Sequence, residues 1–203
     1  MTLLAVVVPF TSSLTSNLLR ALQTLFGLDP GRRRFDAFMA SPTLPWERLW
    51  TVLWRLIPDP SVDGRLLVAL DDSLNNKTGR TIFGCGFFHD HTAKLNPPAY
   101  PWSRNIVASG LLKVIKGRWC CLPLAWRFYF MHKDIQAQTP TTQQSGRTVT
   151  FQSKLHQAVA MLKMLAGPFV GIPIVVVADR WFGNNGLWRP LQEEVASENR
   201  PGA

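Results

Sequence analysis

Three aspartates stand where apolar runs stop. Arg65-Leu66-Leu67-Val68-Ala69-Leu70 leads into Asp71-Asp72-Ser73, and Ile172-Pro173-Ile174-Val175-Val176-Val177-Ala178 leads into Asp179. Read as buried parallel strands of one sheet, the two runs bring their carboxylates to the same edge, within reach of one cation. Clustered carboxylates favour hard divalent metals. Magnesium takes oxygen ligands in an octahedral shell, and two such ions about 3.5–4 Å apart stabilise both the attacking and the leaving oxygen of a phosphoryl displacement. The plainer alternative makes Asp71, Asp72 and Asp179 polar caps where strands leave a core, a common arrangement in α/β proteins.

Other groups carry less. His89-Asp90-His91 has ligand types for zinc or copper, but His132 and His156 lack helpful spacing, so a polar loop is the better reading. Lys77-Thr78-Gly79 and Gly84-Cys85-Gly86 lack the Ser-x-x-Lys and GxxxxGK[ST] partners that would give them meaning. Cys85, Cys120 and Cys121 are odd in number with two adjacent, which offers neither a disulfide framework nor a CxxC metal site and points to a reducing, cytoplasmic compartment. Cys120-Cys121 reads as core within an apolar segment.

The elements that must position the aspartates follow from periodicity. Ser13 to Phe26 has Leu14, Leu18, Leu22 and Leu25 at helical spacing and stops at Gly27; Arg32-Arg33-Arg34 opens a second segment. Pro45 starts a third helix, whose Trp46, Trp50 and Trp54 share one face and read as core rather than as a base-stacking platform. A helical subdomain over residues 1–60 is therefore expected, closed by the turn residues of Pro58 to Gly64. After it the period changes. Strands are expected at Arg65–Leu70, Thr81–Phe88 and within Ile106–Val114, with Arg118–Met131 a further strand or hairpin partner. Gln136 to Arg147 reads as a loop. Phe151 to Ala166 is an amphipathic helix with Lys154 and Lys163 on its solvent side, then comes the second aspartate-ending strand, and a last helix spans roughly Leu187 to Ala196.

Composition agrees with a folded domain. The 203 residues are 46% apolar and 17% charged, with 22 Lys and Arg against 13 Asp and Glu. Disorder is excluded for most of the chain. The net charge of +9 favours a polyanionic partner, nucleic acid first and anionic membrane second. Met1 to Phe10 is short and lacks a basic n-region, and Leu165 to Ala178 is interrupted by Gly167, Pro168, Gly171 and Pro173, so neither crosses about 30 Å of hydrocarbon. Arg32, Arg33, Arg34, Arg104, Lys113, Lys116, Arg118, Arg127 and Lys133 are candidate phosphate contacts, against the alternative of an evenly solvated basic surface.

At the aspartates the sequence resembles a known family. LVALDDSLNNKTGRTIFG, Leu67 to Gly84, is similar to the first catalytic block of the DDE transposases of bacterial insertion sequences, and IVVVADRWFG, Ile174 to Gly183, is similar to the second. Phe35-Asp36-Ala37-Phe38 and Leu44 to Trp50 resemble parts of the helical region before that family's catalytic core. The resemblance implies an α/β fold: a ribonuclease H-like mixed sheet with flanking helices over residues 65–203, behind a small helical subdomain. It implies a Mg2+- or Mn2+-dependent enzyme that cuts and joins DNA, acting on transposon ends and target as a homodimer or larger transpososome. Asp179 and one of Asp71 and Asp72 would hold the metal. Side chains alternate along a strand, so only one of the pair shares the productive side; Asp72 is preferred and Asp71 carried beside it.

The family's third acid is a glutamate on a later helix. Only 24 residues follow Asp179, and Glu193, Glu194 and Glu198 lie too far along the expected helix to be convincing ligands. A truncated or interrupted enzyme, lacking the last strand and helix of the core, weakly active or inactive alone and completed by a separately encoded C-terminal part, is the expectation. Its rivals are a non-catalytic DNA- or protein-binding module that keeps the fold, and a peripheral membrane protein, against which the polar punctuation between apolar runs argues.

Overall fold

Alternating Leu66, Val68 and Leu70, each fully buried, fix the central strand, and each contributes about 1.5–3 kcal/mol by leaving water. The computed structural model describes residues 15–39, 41, 46–55, 57, 59–91, 93, 98–136, 142–144 and 147–198. The apolar start, Ser13-Leu14, Pro45, Pro58, Asn96-Pro97, residues 137–141 and the tail from Asn199 lie outside the described residues. In chain order the elements are α1 (Thr15–Phe26), α2 (Arg32–Met39), α3 (Trp46–Arg55), β1 (Leu66–Asn76), β2 (Gly86–Phe87), β3 (Trp102–Ile115), β4 (Arg118–Tyr129), α4 (His132–Gln136), β5 (Thr142–Gln144), β6 (Arg147–Val149), α5 (Lys154–Ala166), β7 (Ile174–Ala178) and α6 (Asn185–Glu198).

The chain divides into two compact units between Pro45 and Trp46. The first holds α1 and α2, where Leu19, Leu22 and Phe35 are buried. The second holds α3 and everything after it. The Trp46–Arg55 helix thus goes with the sheet, ahead of the turn at which the sequence places the boundary, and Trp54 is the reason. Its indole is buried in the main core, and its Nε1 donates to the Leu124 carbonyl at 2.8 Å.

β1 pairs antiparallel with β3 on one side and parallel with β7 on the other. β3 also pairs with β4, and over Trp102–Ser103 with β2, giving a mixed five-stranded sheet. The β3–β4 hairpin turns through Lys116 and Gly117, both at positive φ. α5 is the helix of the connection that leads, after α4 and the β5–β6 hairpin, into β7, and it buries Ala158, Val159, Met161, Leu162 and Leu165 with Phe182 and Leu187 in one core.

Three expectations are corrected. Thr81–Phe88 is mostly turn, with strand only at Gly86–Phe87. Gly84 adopts φ 73°, and a Cβ there would stand 2.3 Å from the Phe130 ring, so the chain bends where extended backbone was expected. The Gln136–Arg147 loop contains β5, which pairs with β6. Cys120 and Cys121 lie on β4, which has β3 as its partner among the described residues; at this border Cys120 is half-buried and Cys121 exposed, not core.

Candidate metal centre

β1 does not end at its acids. Its parallel pairing stops at Leu70–Ala178, but β3 continues to pair with it as far as Asn76. The expected carboxylates at the strand's end are thus inside the strand, because the 14-residue β3 outlasts the five-residue β7. Alternation then holds through both acids. Asp72 shares the face of Leu66, Val68 and Leu70, over which α5 packs, and Asp71 points to the opposite face.

Asp72 Oδ2 accepts hydrogen bonds from Asn105 Nδ2 and from the Lys154 ammonium, each at 2.7 Å. Asp71 is exposed, and its Oδ1 accepts the backbone N–H of Asp72 at 2.8 Å. Asp179 follows Ala178 directly, one residue past the last β1–β7 pair, Leu70–Ala178, where β7 has ended and the chain turns. Its Oδ1 accepts the Phe182 N–H at 3.1 Å, and the fully buried Phe182 ring anchors that turn.

Lys154 links the two sides. Its ammonium lies 5.4 Å from the Tyr129 ring centre and 5.4 Å from that of Trp181, in the Asp179 turn. Burial, and then the charge of Asp134, push the Tyr129 phenol up, so it presents a neutral ring. The expectation of Lys154 on the solvent side is corrected. Ser153 caps α5, its Oγ accepting the His156 N–H at 3.2 Å, and so starts the helix over the β1–β3 edge, where Asp72 draws the ammonium inward.

Among the described residues no three His, Cys, Asp or Glu side chains gather closely enough to hold a metal ion. The donors nevertheless suit magnesium or manganese, which are held by one or two carboxylates and complete their shell with water and substrate oxygens. Two observations support the fit: Lys154 already places a cation on Asp72, and Asn105 Oδ1, buried on the same carboxamide that contacts Asp72, has no hydrogen-bond partner. Glu193, Glu194 and Glu198 lie on α6; Glu193 is about 12 Å along the axis from Asn185.

Asn105, Lys154 and Tyr129 were not singled out as site residues from sequence. Asn105 left a trace, a polar residue at a core position of β3 between Ser103 and Val107. Lys154 left none, because its partner is 82 positions away. Of the basic candidates, Arg104 donates to the Phe83 carbonyl and lies over the Phe128 ring, and Lys113 binds Asp59, so both serve the fold. Arg32, Arg33, Arg34, Lys116, Arg118 and Lys133 are exposed. His89 and His91 stack edge to face, with His89 also against Tyr100. No helix among the described residues is long and apolar enough to cross a membrane.

A family model described as DDE superfamily endonuclease matches residues 5–198. A comparison with curated proteins and another with solved structures returned no match. The match spans both aspartate-bearing strands, the crossover helix between them and the preceding helices, and the mixed sheet with flanking helices is consistent with the ribonuclease H-like fold of such nucleases. On that match, the chain belongs to the DDE superfamily endonucleases.

Proposed function

We propose that this chain is a DNA transposase that cuts and joins strands at a Mg2+ or Mn2+ centre held by Asp72 and Asp179. The supporting observation is that one ammonium, that of Lys154, meets both the Asp72 carboxylate and the Trp181 ring of the turn that Asp179 opens, on the adjacent parallel strands β1 and β7. When bound, the divalent ion supplies charge stabilisation to a phosphodiester under attack by water or a 3′-hydroxyl. The chain's own residues do the positioning. Asn105 orients the Asp72 carboxylate through Nδ2, and the Phe182 N–H fixes Asp179. Asp71 faces the other side of the sheet, which favours Asp72 as the working acid. The net charge of +9 suits a DNA partner, both transposon ends and target.

The test is nicking of supercoiled DNA carrying the element's ends, with Mn2+ or Mg2+, by the wild type, Asp72→Asn, Asp71→Asn and Asp179→Asn. The proposal expects metal-dependent nicking, lost in Asp72→Asn and Asp179→Asn and kept in Asp71→Asn. It also measures how far two carboxylates suffice in this chain alone. One observation favours a second reading, a DNA-binding module that keeps the fold without chemistry: among the described residues no three metal-ligating side chains gather. That reading expects DNA binding indifferent to metal and to Asp179→Asn, with no nicking.

A further inference from the structure

We propose that Lys154 is the resident counter-ion of this centre: its ammonium holds Asp72 in the metal-free protein, leaves that carboxylate when a divalent cation binds, and thereby sets the centre's metal affinity. The inference rests on the metal-centre reading above. The pair is unlike an ordinary surface salt bridge, since the side chains are only 20% and 27% exposed and Asp72 Oδ2 is further held by Asn105.

The competition follows from the geometry. The ammonium sits 2.7 Å from Oδ2. A magnesium-sized ion approaches a carboxylate oxygen to about 2.0–2.1 Å, so ammonium and metal cannot both sit on that oxygen, and their like charges repel at close range. Asn105 is neutral and can stay; Lys154 must move. Its backbone is fixed in the first turn of α5 behind the Ser153 cap, so only the side chain can swing. The Tyr129 and Trp181 rings, whose centres lie 5.4 Å from the ammonium, offer it a seat off the carboxylate. Because Trp181 stands two residues after Asp179, metal loading on Asp72 shifts a cation against the turn that carries the second acid.

The experiment is Mn2+ binding to the full chain, read from the electron paramagnetic resonance signal of free Mn2+, for the wild type, Lys154→Met, Lys154→Gln, Lys154→Arg and Asp72→Asn. Removing the competing charge is expected to tighten Mn2+ binding by about tenfold or more in Lys154→Met, equivalent to about 1.4 kcal/mol. Lys154→Gln, which keeps a hydrogen-bond donor toward Asp72 without the charge, shifts in the same direction and serves if Lys154→Met does not fold. Lys154→Arg keeps the charge and stays near the wild-type affinity or below it. The proposal is overturned if both neutral variants bind Mn2+ within about twofold of the wild type, or more weakly, while Asp72→Asn has lost binding; the metal centre then survives without a counter-ion role. If the wild type binds and Asp72→Asn binds equally well, the metal-centre reading falls. If none of the proteins binds Mn2+, both fall.

Discussion

Replacing Trp54 by Phe tests whether the Trp46–Arg55 helix is part of the endonuclease unit. Trp54 is 3% exposed, its ring stands 6.2 Å from that of Phe169, and its Nε1 donates to the carbonyl of the fully buried Leu124. Phenylalanine keeps an aromatic ring there but removes the donor. A buried carbonyl left without its partner costs about 1–3 kcal/mol, and the space vacated by the smaller ring adds about 1 kcal/mol. The sum is about 2–4 kcal/mol. With a urea dependence of about 2 kcal/mol per molar, the unfolding midpoint should drop by about 1–2 M. The assay is equilibrium urea unfolding of the full chain followed by far-UV circular dichroism, with Trp50→Phe as the control. Trp50 is only partly buried and meets Trp126 edge-on, so its replacement should move the midpoint less. A Trp54→Phe midpoint within about 0.2 M of wild type would refute the reasoning, because a helix that belongs with the sheet cannot lose its central hydrogen bond at no cost.

Three further outcomes follow from the geometry. Asp179→Asn keeps an oxygen to accept the Phe182 N–H and should unfold like the wild type, whereas Asp179→Ala loses that bond and about 1 kcal/mol; both should lose Mn2+ binding, so a calorimetric titration beside a melt separates the structural from the ligand role. The Ser61 hydroxyl, and then the Lys113 ammonium, hold the Asp59 carboxyl below its ordinary value. A depressed carboxyl stabilises above its unfolded pKa and stops doing so as pH falls through its folded pKa, so any melting-temperature advantage over Asp59→Asn should be present at neutral pH and vanish in acid. Cys121 is an exposed residue, but its sulfur lies over Gly110 of β3, and this local desolvation pushes the thiol up, so iodoacetamide should modify it at pH 8 more slowly than an unperturbed thiol, as mass spectrometry of the peptide would show.

The aspartate-ending strands were the most legible elements. Leu66 to Leu70 and Ile174 to Ala178 are apolar runs, and the aspartates after them drew attention to one edge, but the expected burial holds only for the first: β7 has β1 as its partner among the described residues and is half-buried to exposed. The crossover helix was legible from its period, and its start shifted only to Lys154 behind the Ser153 cap. What escaped depends on distant partners. Periodicity assigned Lys154 to solvent, since nothing near it in sequence reveals Asp72 above the first turn. Thr142–Gln144 pairs with Arg147–Val149 despite a polar, Thr- and Gln-rich sequence, because backbone bonds within a short hairpin need no apolar face. The bend at Gly84 was hidden because TIFGCGFF reads as a strand unless the Phe130 ring packed against that glycine is known.

The placement of neighbouring acids on opposite faces of β1 bears on what keeps that strand in frame. Sliding it by one position would put Asp71 where Asp72 now stands, so the bond to Lys154 would survive the error. The apolar end would not survive it. Arg65, Leu67 and Ala69 would take the places of Leu66, Val68 and Leu70, burying a guanidinium and leaving a void where a leucine had been. Fidelity of alignment therefore resides in three greasy side chains at the far end of the strand, and the acid inherits its address from them.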